Sequence, residues 1–182
     1  FVLLIDNLRL VQWKVIEPVL TEYFSISSEE HYYSILPTTT AYSRNAIFSG
    51  LLPLEMSKTN PELWVSEDED EGKNNFEEEF LPKQLRKNNI QVKSSYHKIK
   101  NLEEGRNLAD TINNLFRNDL NVIVYNFVDM LSHARTDMAM VRELAPDEAP
   151  YRSITKSWFL HSPLIEIIRK ISEKNARVII TT

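Results

Sequence analysis

Short apolar runs, each bounded by polar residues, constrain the fold of this chain more than any other feature. A continuous apolar run of about four to eight residues is typical of a strand that is buried on both faces of a parallel sheet. Five segments fit this description, at residues 2–5, 32–36, 91–96, 122–127 and 177–181. The segment at 91–96 is the most polar of the five, so we expect it at the edge of the sheet.

Amphipathic patterns lie between these runs and predict helices. Apolar residues recur at the helical spacing in residues 10–20, 76–85, 108–116 and 154–171, and Pro163 is expected to kink the last stretch. Strands that alternate with helices predict a doubly wound α/β fold, with a mostly parallel sheet and helices on both faces. Such sheets bind ligands beyond the carboxyl ends of their strands.

The length of 182 residues suits a single domain with its own core, and we expect one domain over residues 1–182. Residues 57–75 break the alternating pattern, because they contain the acidic run 66–72. Such a run predicts a mobile, solvent-exposed insertion. The chain opens on Phe1 and stops at Thr182 in what resembles a core strand, so we expect it to be part of a longer protein.

Composition excludes several classes of function. The chain has no cysteine, so it forms no disulfide and has no thiolate metal ligand or cysteine nucleophile, which fits a reducing compartment such as the cytoplasm. The net charge of −5 argues against broad binding to nucleic acid backbones. Three glycines form no glycine-rich phosphate loop, and no apolar run has the length of a membrane span.

Polar side chains of the kind used in catalysis follow three of the predicted strands. Asp6 ends the first strand, Thr40 follows the second, and Asp129 and His133 follow the strand at 122–127. Because the carboxyl ends of parallel strands meet at one sheet edge, we expect these groups to lie there. A carboxylate and an imidazole four residues apart in a turn can bind one metal ion. Oxygen and nitrogen ligands of this kind suit Zn²⁺, Mn²⁺ or Mg²⁺, and the imidazole favours zinc. A single aspartate after a strand is more often a turn residue or helix cap, so only the combination indicates a metal site.

Three consecutive threonines, Thr38 to Thr40, follow Pro37 and open a predicted helix that closes on Gly50. Two interpretations of a threonine there are open. Its hydroxyl caps the helix by accepting from free backbone N–H groups, or it is a nucleophile activated by a base or a metal. The same N–H groups attract anions. Arg44, one turn further on, is either a solvated helix charge or a phosphate ligand.

Three segments make the chain resemble a known superfamily. Pro-Thr-Thr-Thr at residues 37–40, with Phe-Ser-Gly-Leu-Leu-Pro at 48–53, resembles the nucleophile segment of the alkaline phosphatase superfamily. Val-Leu-Leu-Ile-Asp-Asn-Leu-Arg at 2–9 looks like the PglZ-domain subgroup of that superfamily. Tyr-Asn-Phe-Val-Asp-Met-Leu-Ser-His at 125–133 resembles the PglZ effector domain of PorX-type response regulators, which belong to bacteria with type IX secretion.

The resemblance implies a metal-dependent phosphoesterase that favours phosphodiesters, including nucleotide-like substrates. It places the nucleophile on Thr40 and the contact to the substrate phosphate on Arg44. It implies two divalent metal ions, with zinc preferred. Asp6 and Thr40 would bind one of these ions, and Asp129 and His133 would bind the other.

The resemblance also implies partners. These are a phosphoester or nucleotide-like substrate, a receiver domain in the same parent chain, a second copy in a homodimer and a signalling protein. The superfamily has a further Asp-His pair after the last predicted strand, where this chain stops, so we expect the intact protein to be active and this fragment inactive. Asn7 stands where many relatives have glycine. The alternative to an enzyme is a non-catalytic regulatory module, read by a protein partner, whose metals are structural.

Overall fold

The computed structural model describes residues 1–65 and 75–182, and these form two compact units. The first unit comprises Phe1–Ser28 and Lys93–Thr182, and the second comprises Glu29–Val92. In chain order, the α-helices of the described residues are α1 Leu10–Leu20, α2 Thr40–Ser49, α3 Pro53–Thr59, α4 Glu77–Lys87, α5 Leu102–Thr111, α6 Phe127–Asp137, α7 Ala139–Leu144, α8 Glu148–His161 and α9 Pro163–Ser172. Short 3₁₀ turns occupy Pro61–Leu63 and Ile112–Arg117.

A four-stranded parallel sheet forms the centre of the first unit. Its strands are β1 Val2–Ile5, β2 Ser94–Ile99, β3 Leu120–Tyr125 and β4 Ile179–Thr181. They lie in the order β2-β3-β1-β4, and every neighbouring pair is parallel. The two central strands are in a register that sets Ile5 opposite Tyr125, so β1 and β3 end at the same level. The α/β fold predicted from the sequence is confirmed, and so is the edge position of β2.

The core cluster of the first unit lies against one face of the two central strands, the face that carries Leu3, Ile5 and Ile123. These three side chains are almost completely buried, and so are Leu4 and Val124 on the opposite face, as is expected for strands that are covered on both sides. Apolar side chains of α1, α5, α8 and α9 belong to the same cluster. Within α9, residues Leu164, Ile167, Ile168 and Ile171 form the stripe that faces this core. None of the helices among the described residues has the combination of length and apolar character that a membrane span needs.

The strand predicted at residues 32–36 is wrong. The structure gives this segment no regular secondary structure, and its apolar side chains face solvent, with Leu36 85% exposed. The segment lies in the second unit, whose described residues include no strand. A strand needs a neighbour that pairs with its backbone groups, and without one those groups are satisfied by water. Local composition alone gave the prediction.

Other element boundaries differ from the prediction. The helix expected at 108–116 is the end of α5 followed by a 3₁₀ turn, and the long helix expected at 154–171 is two helices, α8 and α9. Their break falls at Pro163, which begins α9 and has no N–H to continue α8. Residues 57–63, expected in the mobile insertion, lie in α3 and a 3₁₀ turn. The acidic run at 66–72 lies outside the described residues.

The helix α2 ends at Gly50 as the sequence predicts. Gly50 has a left-handed backbone with φ 62°. A Cβ there would lie 2.8 Å from the side-chain amide of Gln84 on α4. When that amide is oriented to satisfy its hydrogen bonds, its nitrogen donates to the carbonyl of Phe48 at 2.9 Å. The glycine at position 50 therefore allows α2 to end in a left-handed conformation and leaves room for Gln84 of α4.

We expect Gly50→Ala to lower the free energy of unfolding by more than about 1 kcal/mol, because alanine in a left-handed conformation costs about 1–2 kcal/mol and its methyl group also displaces Gln84. Urea unfolding of the intact protein measures the change. In a Gln84→Ala background the same substitution should lower the free energy of unfolding by less, because the clash with Gln84 is gone and only the cost of the backbone conformation remains. A Gly50→Ala variant as stable as the wild type would contradict the prediction.

Candidate active site

Asp6 lies at the carboxyl end of β1 and is almost fully buried. Its backbone N–H donates to the carbonyl of Tyr125 at 2.9 Å, which extends the β1–β3 ladder by one bond. The next residue, Asn7, has φ 59°. Asparagine is among the few residues that adopt this left-handed conformation readily, so Asn7 suits the turn that follows β1. The chain then enters α1, where the backbone N–H of Arg9 donates to Gln12 Oε1 at 2.8 Å.

Asp129 and His133 lie one turn apart on α6, which begins directly after β3. They are therefore on a helix and not in the turn that the sequence suggested. Asp129 Oδ2 lies 3.6 Å from His133 Nε2. The His133 side chain is 72% exposed and that of Asp129 24%, so a ligand from solvent has access to both. The structure thus brings together one of the predicted pairs of metal ligands.

Aromatic side chains hold the start of α6. Phe127 stacks on Trp158 of α8, with ring centroids 4.1 Å apart and planes 4° apart. Tyr125 meets the same indole edge-on at 6.1 Å. The Tyr151 hydroxyl donates to the carbonyl of Val128 at 3.4 Å. Because burial raises the pKa of the Tyr125 phenol well above its usual range, this ring stays neutral. The stack fixes the helix that carries Asp129.

Glu148 at the start of α8 joins three elements of the first unit. Its Oε1 accepts from Arg9 Nη1 at 3.2 Å and from Arg135 Nη1 at 3.5 Å. Arg9 precedes α1, and Arg135 is on α6, where its guanidinium also lies 5.1 Å from the centre of the Tyr151 ring. We call these three charged residues the Glu148 clamp. It links the segment after Asp6 to the helix that carries His133, and sequence patterns gave no sign of it.

Asp6, Asp129 and His133 thus follow β1 or β3 at the carboxyl edge of the sheet, whereas Thr40, which was expected there with them, follows no strand among the described residues and lies in the second unit. Asp6 directly follows Ile5, which lies opposite Tyr125 of β3, and α6 starts two residues after Tyr125. A carboxylate oxygen and an imidazole nitrogen 3.6 Å apart fit two ligands of one divalent ion. Across residues 1–65 and 75–182, no group of three or more Asp, Glu or His side chains is arranged to hold a metal ion. The pair thus fits part of a ligand set.

Thr40 is the first residue of α2, in the second unit. Thr39 occupies the N-cap position, but its side chain makes no capping hydrogen bond. Thr38 and Thr39 are exposed, whereas Thr40 is partly buried. Of the three threonines, Thr40 is thus the one that begins the helix proper. The assignment of Thr40 as nucleophile and metal ligand stays a prediction.

Arg44 lies inside the second unit, so the interpretation as a solvated helix charge is wrong. Its Nη2 donates to Glu77 Oε2 at 2.6 Å. The two side chains are only 2% and 0% exposed. Glu77 begins α4, where it is the first of three consecutive glutamates. An acidic stretch normally indicates a solvated face, so sequence reasoning missed this partner. Contact between Arg44 and a substrate phosphate stays a prediction.

A cleft of about 470 Å³ lies in the second unit beside the start of α2. Tyr42 and Trp64 stack on each other there, with ring centroids 5.8 Å apart and planes 28° apart. The Asn45 amide, which donates to the carbonyl of Ala41 at 2.7 Å, adds a polar group. The lining residues are Pro37, Thr39, Ala41, Tyr42, Asn45, Trp64 and Val65. The cleft combines aromatic surface with polar groups next to the threonine segment.

Comparison with known proteins gives one family. The model of the PglZ family, described as the BREX system PglZ alkaline phosphatase-like domain, matches residues 1–182. No curated protein matches the chain.

Proposed function

Because this chain belongs to the PglZ family of alkaline phosphatase-like domains, we propose that the intact protein is a metal-dependent phosphodiesterase with Thr40 as its nucleophile. The observation that carries the proposal is the position of Asp6, Asp129 and His133. All three follow β1 or β3 at the carboxyl edge of a parallel sheet, where α/β folds bind their ligands. The match to an alkaline phosphatase-like family supports phosphoester hydrolysis as the reaction at this edge.

The chain offers ligands for two divalent ions. Asp129 and His133 would hold one ion, and the imidazole favours zinc. The resemblance to the superfamily assigns Asp6 and Thr40 to the other ion. When bound, such ions lower the pKa of a coordinated hydroxyl and stabilise negative charge on phosphoryl oxygens.

Thr40 would carry the covalent step. Its Oγ1 loses a proton and bonds to phosphorus as the bond from phosphorus to the leaving oxygen breaks, and that oxygen takes up a proton. Water then attacks the phosphorus of this nucleotidyl-threonine, the bond from phosphorus to Oγ1 breaks, and Oγ1 takes up a proton, which releases a phosphomonoester and restores the hydroxyl. The first N–H groups of a helix have no intrahelical acceptors, so the start of α2 suits the phosphate oxygens during both steps.

The cleft beside α2 supports a nucleotide-like substrate. Tyr42 and Trp64 offer aromatic faces, and every nucleobase has a planar face that stacks on such rings. Thr39 lines the same cleft and precedes Thr40 directly. A diester whose phosphorus is near Thr40 would thus have a surface for its base a few residues away in the sequence.

The biological role that we propose is the output domain of a response regulator. It rests on the resemblance of residues 125–133 to PorX-type effector domains. The parent chain would then include a receiver domain, and the domain would act with a second copy or a signalling partner. The family match extends to the PglZ domain, and the closer likeness to PorX stays a prediction. The alternative, a regulatory module with structural metals, predicts no turnover that depends on Thr40.

Thr40→Val in the intact protein should lower turnover of a nucleotide phosphodiester by several orders of magnitude, as is typical when a covalent nucleophile is removed. Valine preserves the shape of threonine, so the fold should persist. Thr38→Val is the matched control and should have a far smaller effect, because its side chain is exposed. Thr39→Val should also lower turnover far less than Thr40→Val, because valine keeps the shape of this residue of the cleft lining. Steady-state kinetics, with circular dichroism and metal content for each variant, gives the rank order. Near-normal turnover of Thr40→Val would reject the nucleophile and leave metal-bound hydroxide as the attacker.

His133→Ala should remove about one metal ion per chain from the intact protein, because the pair of Asp129 and His133 then lacks its nitrogen ligand. His161→Ala is the control. His161 is also an exposed histidine on a helix, and its Nδ1 lies 2.7 Å from the carbonyl of Ser157. Elemental analysis of purified protein measures the metal content directly, without an activity assay. Equal content in both variants would show that His133 is not a ligand.

Trp64→Ala should raise KM for a nucleotide diester about fivefold or more, because base stacking on an aromatic ring contributes about 1–3 kcal/mol. Trp64→Phe keeps a ring and should retain most of the affinity. A dialkyl phosphate, which has no planar group, is the substrate control and should be unaffected by either change. A similar rise in KM for both substrates would indicate general damage to the cleft.

A further inference from the structure

The pair formed by Arg44 and Glu77 is the most enclosed charged contact described for the second unit. We infer that these two residues position α2, and through it Thr40, by holding that helix against α4. The inference rests on the proposed role of Thr40 as nucleophile. It assigns to Glu77 a part in the reaction that the family match does not give it.

The geometry along α2 ties this pair to the nucleophile. Arg44 follows Thr40 by four residues, so the two lie on the same face of the helix. A long side chain on a helix points back toward the N-terminus, so the guanidinium covers the turn that begins with Thr40. Glu77, which accepts a hydrogen bond from it, therefore restricts the rotation of that turn.

A second contact fixes the other end of the same two helices. Gln84 follows Glu77 by seven residues, which places both on one face of α4, and its amide donates to the carbonyl of Phe48. Phe48 in turn follows Arg44 by four residues on α2. Two points of attachment, about one helical turn apart on α2 and two on α4, determine both the register and the rotation of α2.

Burial and charge favour positioning over direct contact with phosphate. A guanidinium with 2% of its side chain exposed has almost no surface to offer a ligand. A phosphate brought to it would also approach the Glu77 carboxylate, and like charges repel. Two charges buried together are costly to desolvate, and removal of one takes from the other the opposite charge that this contact supplies. Such a pair therefore holds its two helices in one arrangement as long as both members are present.

The test compares three variants of the intact protein. Glu77→Gln removes the charge that holds Arg44, and Glu78→Gln is the matched control, because Glu78 is the exposed neighbour on the same helix. The double variant Arg44→Met/Glu77→Leu fills the same space with apolar groups and leaves no buried charge. For each we measure kcat and KM on a nucleotide diester and amide hydrogen exchange of residues 38–44.

Glu77→Gln should lower kcat by about tenfold to a hundredfold, the range expected for a nucleophile displaced by up to about 1 Å, with KM within about twofold. Exchange should accelerate at 38–44 more than elsewhere. Glu78→Gln should change neither. The double variant should recover most of the protection at 38–44 and most of kcat, because it restores the support without the charge. If Glu77→Gln fails to fold, the double variant and the control still decide the question.

Two results would overturn the inference. One is a Glu77→Gln variant with unchanged kcat and unchanged exchange at 38–44. The other is a folded, protected double variant in which kcat stays low and KM rises, which would make Arg44 a phosphate ligand. Wild-type protein without turnover that depends on Thr40 would instead contradict the proposed function. The exchange measurements would then still decide whether the pair holds α2.

Discussion

The backbone ladder between β1 and β3 determines where the candidate site residues of the first unit lie. Ile5 lies opposite Tyr125, and one further bond, from the Asp6 N–H to the Tyr125 carbonyl, closes the ladder. The strands are buried on both faces, so their backbone groups have no water to replace those bonds. A shift of one residue would invert the side chains of a strand and lose its packing. Asp6 and the start of α6 are therefore adjacent as a consequence of the sheet alone.

The parts of this arrangement that depend on local pattern were predictable from the sequence. β1 and β3 are mainly apolar runs, and Asp6 and Asp129 come one and four residues after them, so their placement at the carboxyl edge needed no knowledge of other elements. The segment at 32–36 is also mainly apolar and is not a strand, because pairing depends on a neighbour that composition does not reveal. Gly50 was predictable as a helix end, since few other residues adopt φ 62°.

The contacts that the sequence did not reveal join residues far apart in the chain. Glu77 is 33 residues from Arg44, and Glu148 is 139 residues from Arg9. Each is one acidic residue among 26, and nothing in its neighbours distinguishes it from a solvated charge. Trp158 stacks on Phe127, and this partner emerges only from the fold. The sequence therefore indicated the candidate site residues, and the tertiary structure added the residues that hold them in place.

The helix α6 has two supports of different physical character, and they respond to different solvent conditions. The stack of Phe127 on Trp158 is an apolar contact that dissolved ions do not screen. The Glu148 clamp consists of partly exposed charges, with Arg9 50% and Glu148 46% exposed, and such pairs weaken as ionic strength rises. In concentrated salt the aromatic stack and the hydrogen bond from Tyr151 to the Val128 carbonyl would still hold the beginning of the helix, while its later turns would gain freedom. Ionic strength thus acts on the His133 end of α6 and leaves the Asp129 end in place.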